Sequence, residues 1–301
     1  LVGYMVSTLN LTEDDVVIID RSTDIGPAIM KNAAPAKICS VIHADHFSEG
    51  STNDDYILWN NYYEYLFAQH KHIDYYIAST DSQNKLVRKQ FQKYLGVTPN
   101  VITIPVGSLK ELKYPEDNRK PYSLITASRL ASEKHVDWIV EAVAEARKTI
   151  PQLTLDIYGK GKEETIQKVI KKYQLEDCVK LCGQQKLDEV YQNYEAYVAG
   201  STSEGFGLTL MEAVGGGLPI IGFDVRYGNQ TFIDDGQNGY KIPVHDKMEK
   251  KERIEKMAEA IVKLFRDADL ESFHKHSYNK AEDFLTEEVQ KKWAILLGQA
   301  K

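Results

Sequence analysis

Short β-branched or apolar runs alternate with longer amphipathic runs along most of the chain, and this alternation restricts the fold more than any other feature. The short runs are "VVIID" (16–20), "KICSVIHA" (37–44), "DYYIAST" (74–80), "VITIPV" (101–106), "YSLITAS" (122–128), "LTLDIYG" (153–159), "CVKLCG" (178–183), "AYVAG" (196–200) and "LPIIGF" (218–223). Apolar runs without polar alternation suit parallel strands buried on both faces. Helix-like stretches lie between them at 55–70, 81–95, 135–148, 162–173, 186–194 and 207–215, with further helices at 250–268 and 286–297. In the last of these, Trp293, Ile295 and Leu296 form an apolar edge. A β-α-β-α series of this kind implies doubly wound α/β sheets.

At 301 residues the chain has room for two domains. The stretch "KELKYPEDNRKPYS" (110–123) is charged, carries two prolines and has neither periodicity, so it reads as an inter-domain linker. Residues 1–110 then form the later part of a Rossmann-like domain that lacks its opening strand and turn. Residues 120–275 form a whole one, and 276–301 a C-terminal helix placed to return to the first domain.

Composition narrows the function classes. A formal charge of −7 argues against a nucleic-acid binder, leaving room for a local basic pocket. Cys39, Cys178 and Cys182 form an odd set without zinc-site spacing, which suits reduced thiols in a cytoplasmic protein. No apolar run approaches the roughly 20 residues of a membrane span, and "LVGYMVSTLN" lacks the flanks of a signal peptide.

In open α/β sheets ligands gather beyond the carboxyl ends of strands. Four such ends carry candidates. Arg129 and Lys134 follow "YSLITA"; Gly159 and Gly161 follow "LTLDIY"; "STSEGFGLTLMEAV" follows "AYVAG"; and His43 follows "KICSVI". Gly205 and Gly207 allow a tight turn around Phe206, after which a helix starting near Leu208 would aim free N–H groups at an anion. Glu212 lies one turn along that helix on the face of Leu208, where a carboxylate can accept from the vicinal hydroxyls of a ribose. Glu204, in the preceding loop, can reach another hydroxyl group. Arg129 and Lys134 can balance a diphosphate, one as a planar fork and the other as a point charge. Three patterns carry no chemistry on this reading: "DAD" (267–269) ends a charged helix, "HADHF" (43–47) has no third metal ligand, and "GKGK" (159–162) has not the spacing of a P-loop.

Four motifs in order, "ITASRLASEKHVDWIVEA", "LDIYGKGKEE", "SEGFGLTLMEAVGGGLPIIGFDV" and "YGNQTFIDDGQNGYKI", resemble the C-terminal domain of the family-four retaining glycosyltransferases, with "SVIHADH" a weaker match in the first domain. The resemblance implies a GT-B fold, two Rossmann-like domains facing a cleft, with the first incomplete in this chain. It implies catalytic roles for His43, Arg129, Lys134 and Glu204, and donor binding by Gly159, Gly205, Phe206, Gly207, Leu208, Thr209 and Glu212. It also implies a nucleotide-sugar substrate with no metal and no cofactor.

Within that family the chain looks most like the Gram-positive enzymes that start glycosylation of Ser/Thr-rich adhesins. That likeness implies a UDP-N-acetylglucosamine donor, a Ser/Thr-rich protein acceptor, and a paralogous glycosyltransferase subunit as partner. The location it implies is cytoplasmic, with peripheral association at the inner face of the membrane. A wall teichoic acid glucosyltransferase, a non-catalytic subunit of a glycosyltransferase complex and a nucleotide-sugar epimerase are the competing readings.

Overall fold

The computed structural model describes residues 1–245 and 247–300, and its chain divides into two compact units. The first comprises Leu1–Val106 with Glu287–Lys301, the second Gly107–Thr286.

In the first unit the order is α1 (Val2–Ser7), β1 (Val16–Asp20), α2 (Gly26–Asn32), β2 (Lys37–Ile42), α3 (Glu64–Ala68), β3 (Tyr75–Ala78), α4 (Asp81–Leu95) and β4 (Val101–Thr103). The strands form one parallel sheet in the order β1-β2-β3-β4. Side chains of β2 alternate between two cores, as a pleated strand requires. Ile38 and Ile42 pack with Leu66, Phe67, Val87 and Phe91, whereas Cys39 and Val41 pack with Ile77 and Ile104. Thr80 caps α4 by accepting from the Gln83 amide at 3.1 Å, and Gly96 closes the helix at φ +66°.

The second unit contains β5 (Ser123–Ala127), α5 (Val136–Ala146), β6 (Thr154–Tyr158), α6 (Glu163–Lys172), β7 (Val179–Gly183), β8 (Ala196–Ala199), α7 (Leu208–Gly215), β9 (Ile220–Phe223), α8 (Gly228–Phe232), β10 (Gly239–Ile242), α9 (Lys250–Asp267) and α10 (Leu270–Glu282). Its parallel sheet runs β10-β9-β8-β5-β6-β7. The chain winds outward from β5 to β7, then restarts at β8 and winds the other way. The order reverses between β5 and β8, which is where an open sheet of this class leaves its binding crevice. Both central strands are buried along their whole length, which explains their unbroken apolar sequence. The last helix, α11 (Thr286–Ala300), lays Val289 and Leu296 on the first unit's core.

Every strand expected from the sequence is present. The four-residue β10 within "NGYKI" is additional, and so are α1, α2, α8 and α10. Two expected helices are mostly absent. Over 55–70 only Glu64–Ala68 is helical. Asn53 Oδ1 accepts from the amides of Asp55 and Tyr56, a side-chain turn that competes with helix formation. Trp59 then pairs in antiparallel fashion with Phe47. In 186–194 only the single 3-10 turn Tyr191–Asn193 forms. The 276–301 segment is the end of α10 followed by α11, and Ile295, expected on an apolar edge, is exposed.

The 110–123 stretch belongs to the second unit and is tied down at several points. The Leu109 amide donates to Phe284 O at 2.8 Å, Lys113 to Gly215 O at 2.9 Å and Lys120 to Asn193 O at 2.8 Å. The Arg119 guanidinium donates to the carbonyls of Gln192, Tyr194 and Gly216 and to the Tyr278 hydroxyl, all within 3.1 Å. Its prolines and charges are those of a strap over a surface, and half-buried Arg119 is its rivet.

A pH effect follows beside this strap. His274 Nδ1–H donates to Gly217 O at 2.7 Å. Burial, followed by the charge of Arg119, pushes its pKa from the ordinary 6.5 down to about 4. The unfolded chain therefore takes up the proton first as pH falls. The contribution is complete above about pH 6.5, is lost progressively as pH falls to about 4, and changes no further below that. His274→Asn is expected to remove roughly 2–3 kcal/mol of this acid sensitivity, measured as melting temperature against pH. An unchanged slope between these limits would refute the assignment.

Candidate functional site

The loop after β5 is laced to the loop after β6. Ser128 N donates to Tyr158 O at 3.1 Å, Leu130 N to Lys160 O at 2.9 Å and Lys162 N to Leu130 O at 2.8 Å. Gly159, at φ +136°, lies so close that an added Cβ would overlap the Ser128 carbonyl oxygen. The backbone that approaches Gly159 is thus a neighbouring loop, and the glycine acts by letting the two loops touch. Arg129, between two tied residues, points outward; its side chain is 78% exposed, with Glu133 Oε1 3.1 Å away. A guanidinium so lightly engaged can take a new anion at little cost.

Lys134 ends the short turn Ser132–Lys134 ahead of α5. Its carbonyl and that of His135 lie against Gly200 at the end of β8, where a Cβ would sit 2.8 Å from each. This close approach across the point of strand reversal brings Lys134 Nζ within 2.6 Å of Glu204 Oε2. Both side chains are more than four-fifths buried, and Ser201 Oγ adds a hydrogen bond to the same carboxylate oxygen at 3.3 Å. Beside this pair the His135 ring stacks on Trp138 at 3.6 Å and its Nε2 lies 3.3 Å from Thr202 Oγ1. The backbone of Glu204 is held as well: its N–H donates to Arg226 O, and its carbonyl accepts from Gly228 N.

Gly207, at φ +88°, is the residue from which α7 springs, and no side chain caps that start. The first amides of the helix carry the positive end of its dipole. Gly205 lies in the turn before it, and Phe206 buries its ring against Phe232 and Phe284. Phe206 therefore anchors the turn and has only backbone to offer a ligand. Leu208 is half exposed, and Thr209 Oγ1 accepts from the buried Tyr197 hydroxyl at 3.1 Å. Glu212, one turn along, accepts from Tyr191 OH at 2.9 Å and lines a cavity of ≈ 400 Å³ with Leu109, Lys113, Asp188 and Met211. Burial pushes the Glu212 carboxyl pKa up, while the hydrogen bond from Tyr191 draws it partly back.

In the first unit His43 follows β2, and its Nε2 lies 2.8 Å from Asp20 Oδ1 at the end of β1. Its main-chain N–H donates to Tyr63 OH at 3.1 Å.

In the second unit the fold thus gathers Lys134, Glu204 and the start of α7, with Arg129 on the loop that leads to Lys134. Lys134 and Glu204, expected on different parts of a ligand, are engaged with each other. Sequence reasoning did not single out Asp20, Tyr191, Gly200 or Gly228. Asp20 ends an apolar run and could have been found by the strand-end rule. Tyr191, Gly200 and Gly228 act through three-dimensional neighbours that no local pattern marks. The "DAD" pattern is split, with Asp267 ending α9 and Asp269 capping α10 through the Ser272 amide. Among the described residues no three His, Cys, Asp or Glu side chains group as a metal site.

Comparison with known proteins adds four findings. The sequence model of the family "Glycosyl transferases group 1" matches residues 110–268. The UDP-N-acetylglucosamine–peptide N-acetylglucosaminyltransferase GtfA subunit of Streptococcus gordonii is 50% identical over 302 residues, which cover 100% of this chain and 60% of that protein. The crystal structure of the pneumococcal O-GlcNAc transferase GtfA with UDP and GlcNAc superposes with a TM-score of 0.92 at 49% identity, covering 99% of this chain and 59% of that one. A GtfA/B complex structure superposes at 0.96 over 99% of this chain and 60% of that one, also at 49% identity. The chain therefore spans about three-fifths of the length of the relatives it matches.

Proposed function

The chain belongs to the group 1 glycosyl transferases and has their GT-B fold, and from that premise we propose that the protein carrying it moves N-acetylglucosamine from UDP-N-acetylglucosamine to Ser/Thr hydroxyls, with retention of configuration. The observation that carries this reading is the pair Glu204 and Glu212 on either side of an uncapped helix start, with Lys134 held 2.6 Å from the first of them. The 50% identity along this chain to a UDP-N-acetylglucosamine–peptide transferase subunit supports the donor and the protein acceptor. The likeness to a GtfA/B complex supports a second glycosyltransferase subunit as partner. The finer acceptor in this reading is a serine-rich repeat adhesin, met at the cytoplasmic face of the membrane. Among the described residues no helix is long and apolar enough to cross a membrane.

The bond between the anomeric carbon and the diphosphate oxygen breaks while the acceptor hydroxyl attacks the same face of the sugar. The departing diphosphate takes the hydroxyl proton. Its growing charge is met by Arg129, Lys134 and the amides of Gly207, Leu208 and Thr209, fixed donors of the kind that dominate transition-state stabilisation. Glu212 takes the ribose hydroxyls, Glu204 lies by the donor sugar, and His43 acts from the first unit beside that sugar. These cations stand in for a divalent ion, so transfer needs no metal.

The test is transfer of one N-acetylhexosamine from UDP-N-acetylglucosamine to a Ser/Thr-rich peptide, by the protein with its partner subunit and with EDTA present. Loss of transfer on adding EDTA would end the metal-free reading; tight donor binding without any peptide modification would favour a non-catalytic subunit. Glu212→Gln is expected to weaken UDP binding about tenfold, roughly one charge-assisted hydrogen bond, with a smaller change in turnover. Calorimetric titration with UDP showing no change would remove Glu212 from the nucleotide site.

A further inference from the structure

The end of the first unit's sheet carries a pair that the proposed reaction leaves unexplained. β1 and β2 are parallel neighbours whose register sets Asp20 opposite Val41. Asp20 is the last residue of its strand and His43 follows the last of the next, so the pleat delivers both side chains to one sheet end. There His43 Nε2 and Asp20 Oδ1 lie 2.8 Å apart. An ionised carboxylate only accepts, so Nε2 carries the proton.

The backbone at His43 is fixed independently, because its N–H donates to Tyr63 OH at 3.1 Å. Ring and main chain are therefore oriented by separate partners. The second ring nitrogen, Nδ1, is buried and has no hydrogen-bond partner among the described residues. An unpaired buried nitrogen costs a fold on the order of 1–3 kcal/mol. A histidine kept only for packing has no reason to carry that cost, and unsatisfied polar groups in native folds are often tied to chemistry. Asp20 is itself more than half exposed, which makes the contact weak as a stabilising ion pair. What it supplies is orientation: a carboxylate on one imidazole nitrogen decides which tautomer the ring adopts and which edge it turns away.

We propose that Asp20 is a positioning residue for the transfer step, holding His43 in the Nε2–H tautomer with one ring orientation. Asp20 touches neither the donor nor the acceptor; it acts through His43. This inference rests on the reading that His43 lies beside the transferred sugar. Without the carboxylate the ring samples both tautomers and more than one rotamer, and the productive arrangement becomes a fraction of the population.

The experiment uses the protein that carries this chain, with its partner subunit, comparing wild type, Asp20→Ala, Asp20→Asn and His43→Ala. Long-range 1H–15N correlations of the histidine side chains are expected to show His43 as the Nε2–H tautomer in wild type and as a mixture in Asp20→Ala. The kcat should fall about 10- to 100-fold in Asp20→Ala, with the dissociation constant for UDP within twofold of wild type, and Asp20→Asn, whose carbonyl still accepts, should recover part of the loss. An unchanged tautomer and a kcat within twofold of wild type in Asp20→Ala would overturn the proposal. Should His43→Ala also leave transfer intact, the failure lies in the functional reading; should His43→Ala abolish transfer while Asp20→Ala does not, it lies with Asp20 alone. The tautomer is read without donor or acceptor, so it reports even if turnover is absent.

Discussion

Lys134→Ala is expected to lower kcat by about 10²–10³-fold, the usual consequence of removing one preorganised group from a site of developing charge. Lys134 reaches its place because Gly200 lets the carbonyls of Lys134 and His135 lie against the end of β8. Its ammonium lies 2.6 Å from Glu204 Oε2, with both groups largely shielded from water. When the diphosphate leaves it gains charge, and a cation already fixed beside it needs no reorganisation. The substitution has a second consequence: Glu204 keeps a buried charge without its partner, a loss on the order of 3–5 kcal/mol when such a pair is broken. Lys134→Ala combined with Glu204→Gln separates the two effects, since it restores stability without restoring the cation. The double variant should melt closer to wild type than Lys134→Ala and remain slow in transfer. Steady-state kinetics with UDP-N-acetylglucosamine and thermal denaturation decide it; a kcat within about fivefold of wild type in both variants would take Lys134 out of the chemistry.

A large stability loss without any change of charge is expected at Gly159. Its φ of +136° is closed to other residues, and an added Cβ would overlap the Ser128 carbonyl oxygen. Gly159→Ala therefore has to part the two laced loops, breaking the hydrogen bonds of Ser128, Leu130 and Lys162, at a cost on the order of 4 kcal/mol or more. For a unit of this size that lowers the melting temperature by about 8–16 °C. A milder positive φ without the clash is found at Gly96, where φ is +66°, in the left-handed helical region, and nothing lies within 4 Å of the added Cβ. Gly96→Ala should cost only about 1–2 kcal/mol. A loss at Gly159 no larger than at Gly96 would show that the meeting of loops adds nothing to the cost.

What could be read from the sequence followed burial. Strands β2, β5, β8 and β9 are buried on both faces, so their apolar runs are unbroken and their positions unambiguous. β10 offered only the run Gly-Tyr-Lys-Ile after a turn, broken by the half-exposed Lys241, so it did not stand out. The helices α1 and α2 are six and seven residues long and carry little periodicity. The strap over 110–123 looked like a free linker because Arg119 is held by carbonyls about a hundred residues or fewer away, in segments with no motif of their own. The site divides in the same way. Glu204, Gly207 and Glu212 sit in one continuous motif and were visible together, as were Arg129 and Lys134. The contact between Lys134 and Glu204 joins two segments 70 residues apart and depends on the sheet order, which the sequence does not display.

Three glycines, Gly159, Gly200 and Gly228, each lie against a main-chain carbonyl of a neighbouring loop: that of Ser128, those of Lys134 and His135, and that of Phe206. At these points the walls of the crevice are main chain laid on main chain. A library of variants aimed at a new sugar would find these wall positions closed to almost every replacement. The accessible diversity lies instead in outward side chains such as half-exposed Leu208, which can be exchanged without moving the frame.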